Sequence, residues 1–293
     1  MNVLCVGHAT FDITMAVENH PGPDEKASAT AMACGGGGPA VNAAVAVARL
    51  GGKSGFIGYL GRDAFSQLHM DELQAEGVDI AHVVRGNAAS PVSAILAKPD
   101  GTRTVINHKQ DTPWLNPDQV DLTDCQAKAI LFDGHEPLIS LPLAEKAREE
   151  NIPLILDAGS AHRGSLGLAP LMDYLVASEK FARDFTGEHE ARAALEKLAG
   201  VVPNAVITLG KNGLIWAQGE TRGELAAFDV PVVDSTGAGD TFHGAFALGV
   251  SQGMAWDELL RFASAAAALC CTRLGARNGI PSLGDVNELL GKQ

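Results

Sequence analysis

The stretch VVDSTGAGDTFHGAFALGV, Val232 to Val250, decides how this chain is read. An apolar pair leads into a tight Gly237-Ala238-Gly239 turn, and a long run of small apolar residues follows. Asp240 stands where that run begins. Backbone N–H groups at the start of a helix are unpaired and point outward, and the helix dipole adds partial positive charge there. Glycines let a ligand approach without Cβ atoms in the way. Such a turn suits a phosphate, above all one whose charge is developing. Asp240 then has a separate task, accepting the proton of a hydroxyl that attacks the phosphate. Phosphoryl transfer requires positioning, charge stabilisation and a base near the nucleophile. The competing reading is a helix-capping aspartate beside a packing turn.

A second stretch, GGGGPAVNAAVAVARLGG at 35–52, moves the balance. Its glycines precede a helix, with Pro39 at a first-turn position and Gly51 at the stop. Asn42 lies inside an otherwise apolar face. A buried asparagine needs hydrogen-bond partners, and a polyhydroxyl ligand supplies them. Asp12 follows the first strand, at the sheet edge where ligands of open α/β sheets collect.

The rest of the chain alternates strand and helix. NVLCVG, KSGFIGYLG, AKAILFDG, IPLILDAG, YLVAS and NAVITLG read as strands, and NGLIWAQ with GELAAFDVPVVD as a β-meander. DAFSQLHMDELQAEGV reads as an amphipathic helix with Phe65, Leu68 and Leu73 on its apolar face. LPLAEKAREEN, EHEARAALEKLAG, TFHGAFALGVSQG and WDELLRFASAAAALCCTRLG read as further helices. This rhythm predicts an α/β sheet with helices on both faces. VSAILAKPDGTRTVINH, a hairpin turning at Pro-Asp-Gly, breaks the rhythm. A small β appendage is therefore expected, built from roughly 12–35 and 90–110 and inserted in one domain spanning 1–293.

Composition excludes several function classes. The 293 residues are 46% hydrophobic and carry a net charge of −13, with no Lys/Arg run. Nucleic acid and acidic membranes are poor partners for such a surface. Neither a signal peptide nor a membrane-spanning run is evident, and a cytoplasmic protein is expected. The five cysteines, Cys5, Cys34, Cys125, Cys270 and Cys271, are odd in number and partly adjacent, which predicts buried thiols rather than disulfides. The nine histidines show no zinc-type pairing, so no dedicated metal cage is expected. GGKS at 51–54 resembles the end of a P-loop, but that motif needs glycine where Val47 stands. GGGGPA at 35–40 fits the loose dinucleotide pattern, with Asp63 downstream, yet it follows the appendage rather than a first core strand.

Taken together, these motifs resemble the ribokinase-like, or PfkB-type, carbohydrate kinases. The likeness is carried by 35–52, GYLGRDAF (58–65), VITLGKNG (206–213), VDSTGAGDTFHGAF (233–246) and AAAALCCTRLGARNGIPS (265–282). It implies a three-layer α/β/α sheet with a small β lid, and transfer of the γ-phosphate of MgATP to a sugar hydroxyl. Asp240 would be the base, and Gly237, Ala238 and Gly239 the anion hole. Asp12, Gly38 and Asn42 would contact sugar hydroxyls. Thr208, Gly210 and Gly213 would lie by the nucleotide phosphates and ribose, and Ala268 and Asn278 by the adenine. Asp234, Thr236 and Gly275 match positions where relatives hold a monovalent cation such as K+. A homodimer through the lid is also implied.

The chain departs from the family pattern in two places. Where many relatives have Asn-x-x-Glu around the Mg2+ shell, this chain has ASEKF, with Ser178 and Phe181 at the two positions and Glu179 adjacent. A serine at the first position resembles the ketohexokinase-like branch. His135, followed by Glu136, replaces a sugar-touching glutamate of several relatives. Sulfofructose kinases have arginine there, together with a lysine and an asparagine that Lys26 and Asn107 match. A ketose or an acidic or sulfonated sugar is the expectation that follows. A nucleoside kinase on the same scaffold, or a non-catalytic sugar or nucleotide sensor, is the alternative.

Overall fold

The computed structural model describes residues 1–109, 112–120 and 126–292. Eight strands form the main sheet, in the order β14-β13-β12-β11-β10-β9-β1-β4. The parallel strands are β1 (Val3–Val6), β4 (Ser54–Ile57), β9 (Ala129–Phe132), β10 (Leu154–Ala158), β11 (Tyr174–Ser178) and β12 (Asn204–Thr208). β13 (Leu214–Gln218) and β14 (Thr221–Leu225) add an antiparallel edge. The parallel strands are short apolar runs because both of their faces are covered. Val3 and Cys5 point into one core, Leu4 and Val6 into the other, as the two-residue period of a strand requires.

The first core packs α1 (Pro39–Arg49), α7 (Ala238–Gln252) and α8 (Trp256–Cys270) on the sheet. The second packs α3 (Pro137–Glu149), α5 (Glu179–Thr186) and α6 (Ala191–Ala199) on the opposite face. A separate four-stranded sheet has the order β3-β2-β7-β8, from β2 (Thr10–Ala16), β3 (Ala31–Gly37), β7 (Val92–Ala97) and β8 (Arg103–His108). Short strands β5 (Tyr59–Leu60) and β6 (Val84–Arg85) pair beside it. α2 (Ala64–Ala75) starts on a capping box between Asp63 and Ser66. The remaining short helices are α4 (Arg163–Leu168), α9 (Ala276–Gly279) and α10 (Leu283–Gly291).

Three sequence expectations need correction. The meander strand ends at Leu225, so residues 226–234 are not strand; Pro231 lacks the N–H that a continuing ladder needs. In α2 only Leu73 of the expected apolar face is buried, while Phe65 and Leu68 are 39% and 55% exposed. The helix instead buries Ser66, bonded to Asp63 and Arg85, and His69, which lies against the side-chain-free Gly36 of β3. The thiols are not uniformly buried: Cys5 and Cys270 are, Cys271 is half-buried and Cys34 is exposed on β3, while Cys125 lies outside the described residues.

Candidate active site

The C-terminal ends of the parallel strands and the N-terminus of α7 converge on one edge of the main sheet. Gly237 caps α7 in the left-handed region, at φ 79°. A Cβ at Gly239 would meet nothing within 4 Å, so this exposed residue borders open space at the helix start. The Ala238 N–H reaches the Ser235 carbonyl at 3.3 Å, so of the turn's amides it already has an internal acceptor.

Asp240 is half-buried in the first turn of α7. The Asn42 amide donates to its Oδ2 at 2.7 Å. Asn42 is itself buried on α1, and its Oδ1 accepts from Arg277 Nη2 at 3.1 Å and Nε at 3.3 Å. α1 begins where Gly38, at φ 106°, passes so close to the preceding loop that a Cβ would lie 2.5 Å from the His8 carbonyl. Asp12, on β2, fills the space that glycine leaves at position 37, where a Cβ would lie 2.0 Å from its Oδ2. Its Oδ1 is buried with no hydrogen-bond partner. Burial, with Asp240 and Glu72 nearby, pushes the Asp12 carboxyl up to about 6, against the charge of Arg277. An orphaned buried acceptor is costly unless a ligand completes it.

Beside this group lies a feature the sequence reading missed. Asp133, at the end of β9, accepts backbone N–H groups from His8 (2.7 Å), Ala40 (3.2 Å) and His135 (2.8 Å). It ties the β1 loop, the start of α1 and the β9 loop together. The imidazoles of His8, His135 and His162 line up there, with centroids 5.3 and 4.4 Å apart. Burial, with Lys109 nearby, lowers the pKa of His8 and His135. Burial first, then His135, brings His162 down to about 4. The Glu136 carboxylate accepts from Leu115 N–H at 2.8 Å rather than facing the site. Asp157, at the end of β10, lies 3.3 Å from His243. The only local signal for these residues is a polar group just past a buried strand, as in FDGHE and LDAG.

The other predicted residues fall into three groups. Asn107 is exposed on β8, and its Oδ1 accepts from Ser93 Oγ at 2.6 Å, which links it to the Asp12 side of the site. Lys26 lies within the exposed run 18–32. Ser178, Thr208, Gly210 and Gly213 gather at the ends of β11 and β12. Ser178 caps α5, accepting from Phe181 N–H and donating to the Gly159 carbonyl, both at 2.9 Å. Thr208 donates to the Ala177 carbonyl at 3.3 Å. Gly210 borders open space, whereas Gly213 packs against the Leu225 carbonyl. Ala268 is half-buried on α8, and Asn278 is exposed with its amide on the Leu274 carbonyl at 3.2 Å. Asp234 is fully buried. It accepts from the Thr236 N–H (2.9 Å) and hydroxyl (2.6 Å) and from the Gly275 N–H (2.8 Å). The three residues expected around a cation are thus brought together, with the Asp234 carboxylate engaged as a brace between Thr236 and Gly275.

No group of three or more His, Cys, Asp or Glu that could hold a metal occurs among the described residues. Ser178 has its hydroxyl engaged on both sides, and Glu179 is exposed at the start of α5. This donor set fits a divalent ion held through phosphates and waters, not a protein cage.

The family profile described as pfkB family carbohydrate kinase matches residues 1–283. The chain belongs to that family. This carbohydrate kinase is 29% identical to the ribokinase of Bacillus subtilis over 303 residues, covering 99% of each chain. The solved ribokinase of Thermotoga maritima superposes with a TM-score of 0.86 at 28% identity, covering 99% of both. The Arabidopsis thaliana ribokinase, solved with ribose and ATP, gives 0.84 at 28%, covering 99% of the kinase and 98% of that chain. The three relatives named are ribokinases and do not point specifically to the ketohexokinase or sulfofructose kinase branch. No helix among the described residues is long and apolar enough to cross a membrane.

Proposed function

We propose that this kinase transfers the γ-phosphate of MgATP to a primary hydroxyl of a ribose-like monosaccharide. The observation that carries the proposal is the hydrogen-bonded pair of Asn42 and Asp240 at the mouth of α7, beside the orphaned Asp12 oxygen. Asp12 and Asn42 bind and orient the sugar; Asp240 takes the proton of the attacking hydroxyl. The N–H groups at the start of α7, led by the open Gly239, stabilise the migrating phosphoryl group. Mg2+ held through phosphates and water would neutralise charge on the triphosphate, and Glu179, the residue after Ser178, would meet that water shell. K+ at the carbonyls around Asp234, Thr236 and Gly275 would stiffen the turn.

The ribokinase relatives favour an aldopentose over a ketose, a sulfonated sugar or a nucleoside. The exposed setting of Lys26, and His135 in place of arginine, agree with a substrate lacking a sulfonate. The four-stranded sheet serves as the lid, closing over the sugar and excluding water. Its outer strands β3 and β8 carry exposed Met32, Val105 and Ile106, a surface suited to a second copy of the chain.

An ADP-release assay over D-ribose, D-fructose, a sulfonated hexose and adenosine tests the reading. Turnover is expected with D-ribose, and Asp240→Asn is expected to lower it on the order of several hundred-fold or more while keeping ATP binding. Near-normal turnover of Asp240→Asn would remove the base assignment. Sugar binding by calorimetry with no ADP formed would make the protein a sensor.

A further inference from the structure

Arg277 lies in α9 with its side chain only 5% exposed. Its closest carboxylate is Glu72, at 3.8 Å from Nη1, and Nη1 makes no hydrogen bond. A buried guanidinium without a close ionic partner is expensive for folding alone. What it does contact is Asn42. Nε and Nη2 converge on Asn42 Oδ1, and Nη2 also lies 3.3 Å from His69 Nε2.

The chemistry of these groups sets the direction of each bond. Arginine carries donors only. Asn42 must therefore present Oδ1 to Arg277, and its NH2 group is left facing Asp240. His69 must accept through Nε2 and carry its proton on Nδ1. The surroundings are shaped for this arrangement. A Cβ at Gly36 would lie 2.3 Å from the His69 ring and 2.8 Å from Arg277 Nη2. The Gly36 N–H holds Glu72 Oε2 at 2.7 Å, and Arg49 holds the Arg277 carbonyl at 2.8 Å.

We propose that Arg277 is a positioning residue for phosphoryl transfer: it locks the Asn42 amide in the one orientation that donates to Asp240, and so holds that carboxylate toward the sugar hydroxyl. The proposal rests on the reading of Asp240 as the base. Arg277 touches neither sugar nor nucleotide in this role; it acts through Asn42, on an element far from both in the chain.

A double-mutant cycle with MgATP and D-ribose tests it. Arg277→Met is expected to lower kcat on the order of 10²-fold, the scale of a misplaced catalytic group, with KM for ATP unchanged. In an Asn42→Ala background the same substitution is expected to change kcat less than about threefold, because the route is already cut. Arg277→Lys keeps the buried charge but lacks the planar fork. It serves where the methionine variant does not fold, and is expected to show the same dependence on Asn42. Losses that multiply independently, or an unchanged kcat in folded Arg277→Lys, would overturn the proposal. Asp240→Asn run alongside separates the two failures: if it is inactive while the cycle is additive, only the role of Arg277 falls.

Discussion

Gly244 of α7 lies against Ala43 of α1 so closely that a Cβ at position 244 would come within 2.5 Å of the Ala43 carbonyl oxygen. It would also lie 2.8 Å from Ala46 Cβ. This contact brings the two helices near enough for Asn42 to reach Asp240. Gly244→Ala is expected to destabilise the fold by about 1–3 kcal/mol through overpacking. It should also lower kcat by loosening the Asn42–Asp240 bond. Thermal unfolding and steady-state kinetics on one preparation check both.

Gly237 answers to a different constraint. Its φ of 79° is costly for any residue with a Cβ, and that Cβ would lie 2.6 Å from the Ala276 Cβ. Gly237→Ala is expected to swing the first turn of α7 and lower turnover more than stability. A Tm shift of a few degrees with a kcat loss on the order of 10²-fold would match.

Asp12 gives a pH dependence with a defined sign. Its carboxyl is pushed up to about 6 by burial. The ionised form offers its orphaned oxygen to sugar hydroxyls, so kcat/KM for the sugar should fall as pH drops through about 6. Asp12→Asn should abolish that limb and raise KM for the sugar, leaving KM for ATP unchanged. A pH profile of kcat/KM at saturating ATP is the measurement.

Stability should follow pH in the same region. Burial pushes both Glu136 and Asp157 up to about 7, with Asp240 and Asp133 adding to the effect at Asp157 and His243 opposing it. Folded protein thus keeps protons that the unfolded chain releases near pH 4. The stabilisation is full below that point and is lost as pH rises through about 7. These two carboxyls pull the Tm of the ligand-free protein down between pH 5 and 7, while the buried His8, His135 and His162, with lowered pKa values, pull it up as pH rises. Glu136→Gln keeps an acceptor for the Leu115 N–H and removes one downward contribution, so the Tm of the variant relative to the parent should rise between pH 5 and 7; an unchanged difference would remove Glu136 as a cause.

The chemistry of two stretches was legible because it is local. A glycine turn before a helix, an acid at its first turn and a proline at the start of α1 are all short-range patterns. Strand runs alternating with helices carried the layered sheet in the same way, since each depends on neighbours a few positions apart. The limits of local reading show at α2, where apolar periodicity marked Phe65 and Leu68 as core. The bare Gly36 of β3 instead leaves room for His69, and its N–H holds Glu72.

Residues 35–52 and 232–250 alone determined that a glycine-led helix start, an acid at its first turn and an amide on an apolar helix face belong to this protein. Only the tertiary structure decided that they meet. Asn42 and Asp240 are 198 positions apart, and Arg277 reaches Asn42 across 235. No periodicity encodes such a contact. It arises because α1 and α7 bury their small-residue faces against each other over one sheet, which leaves a single place where an amide, a carboxylate and a guanidinium can satisfy one another.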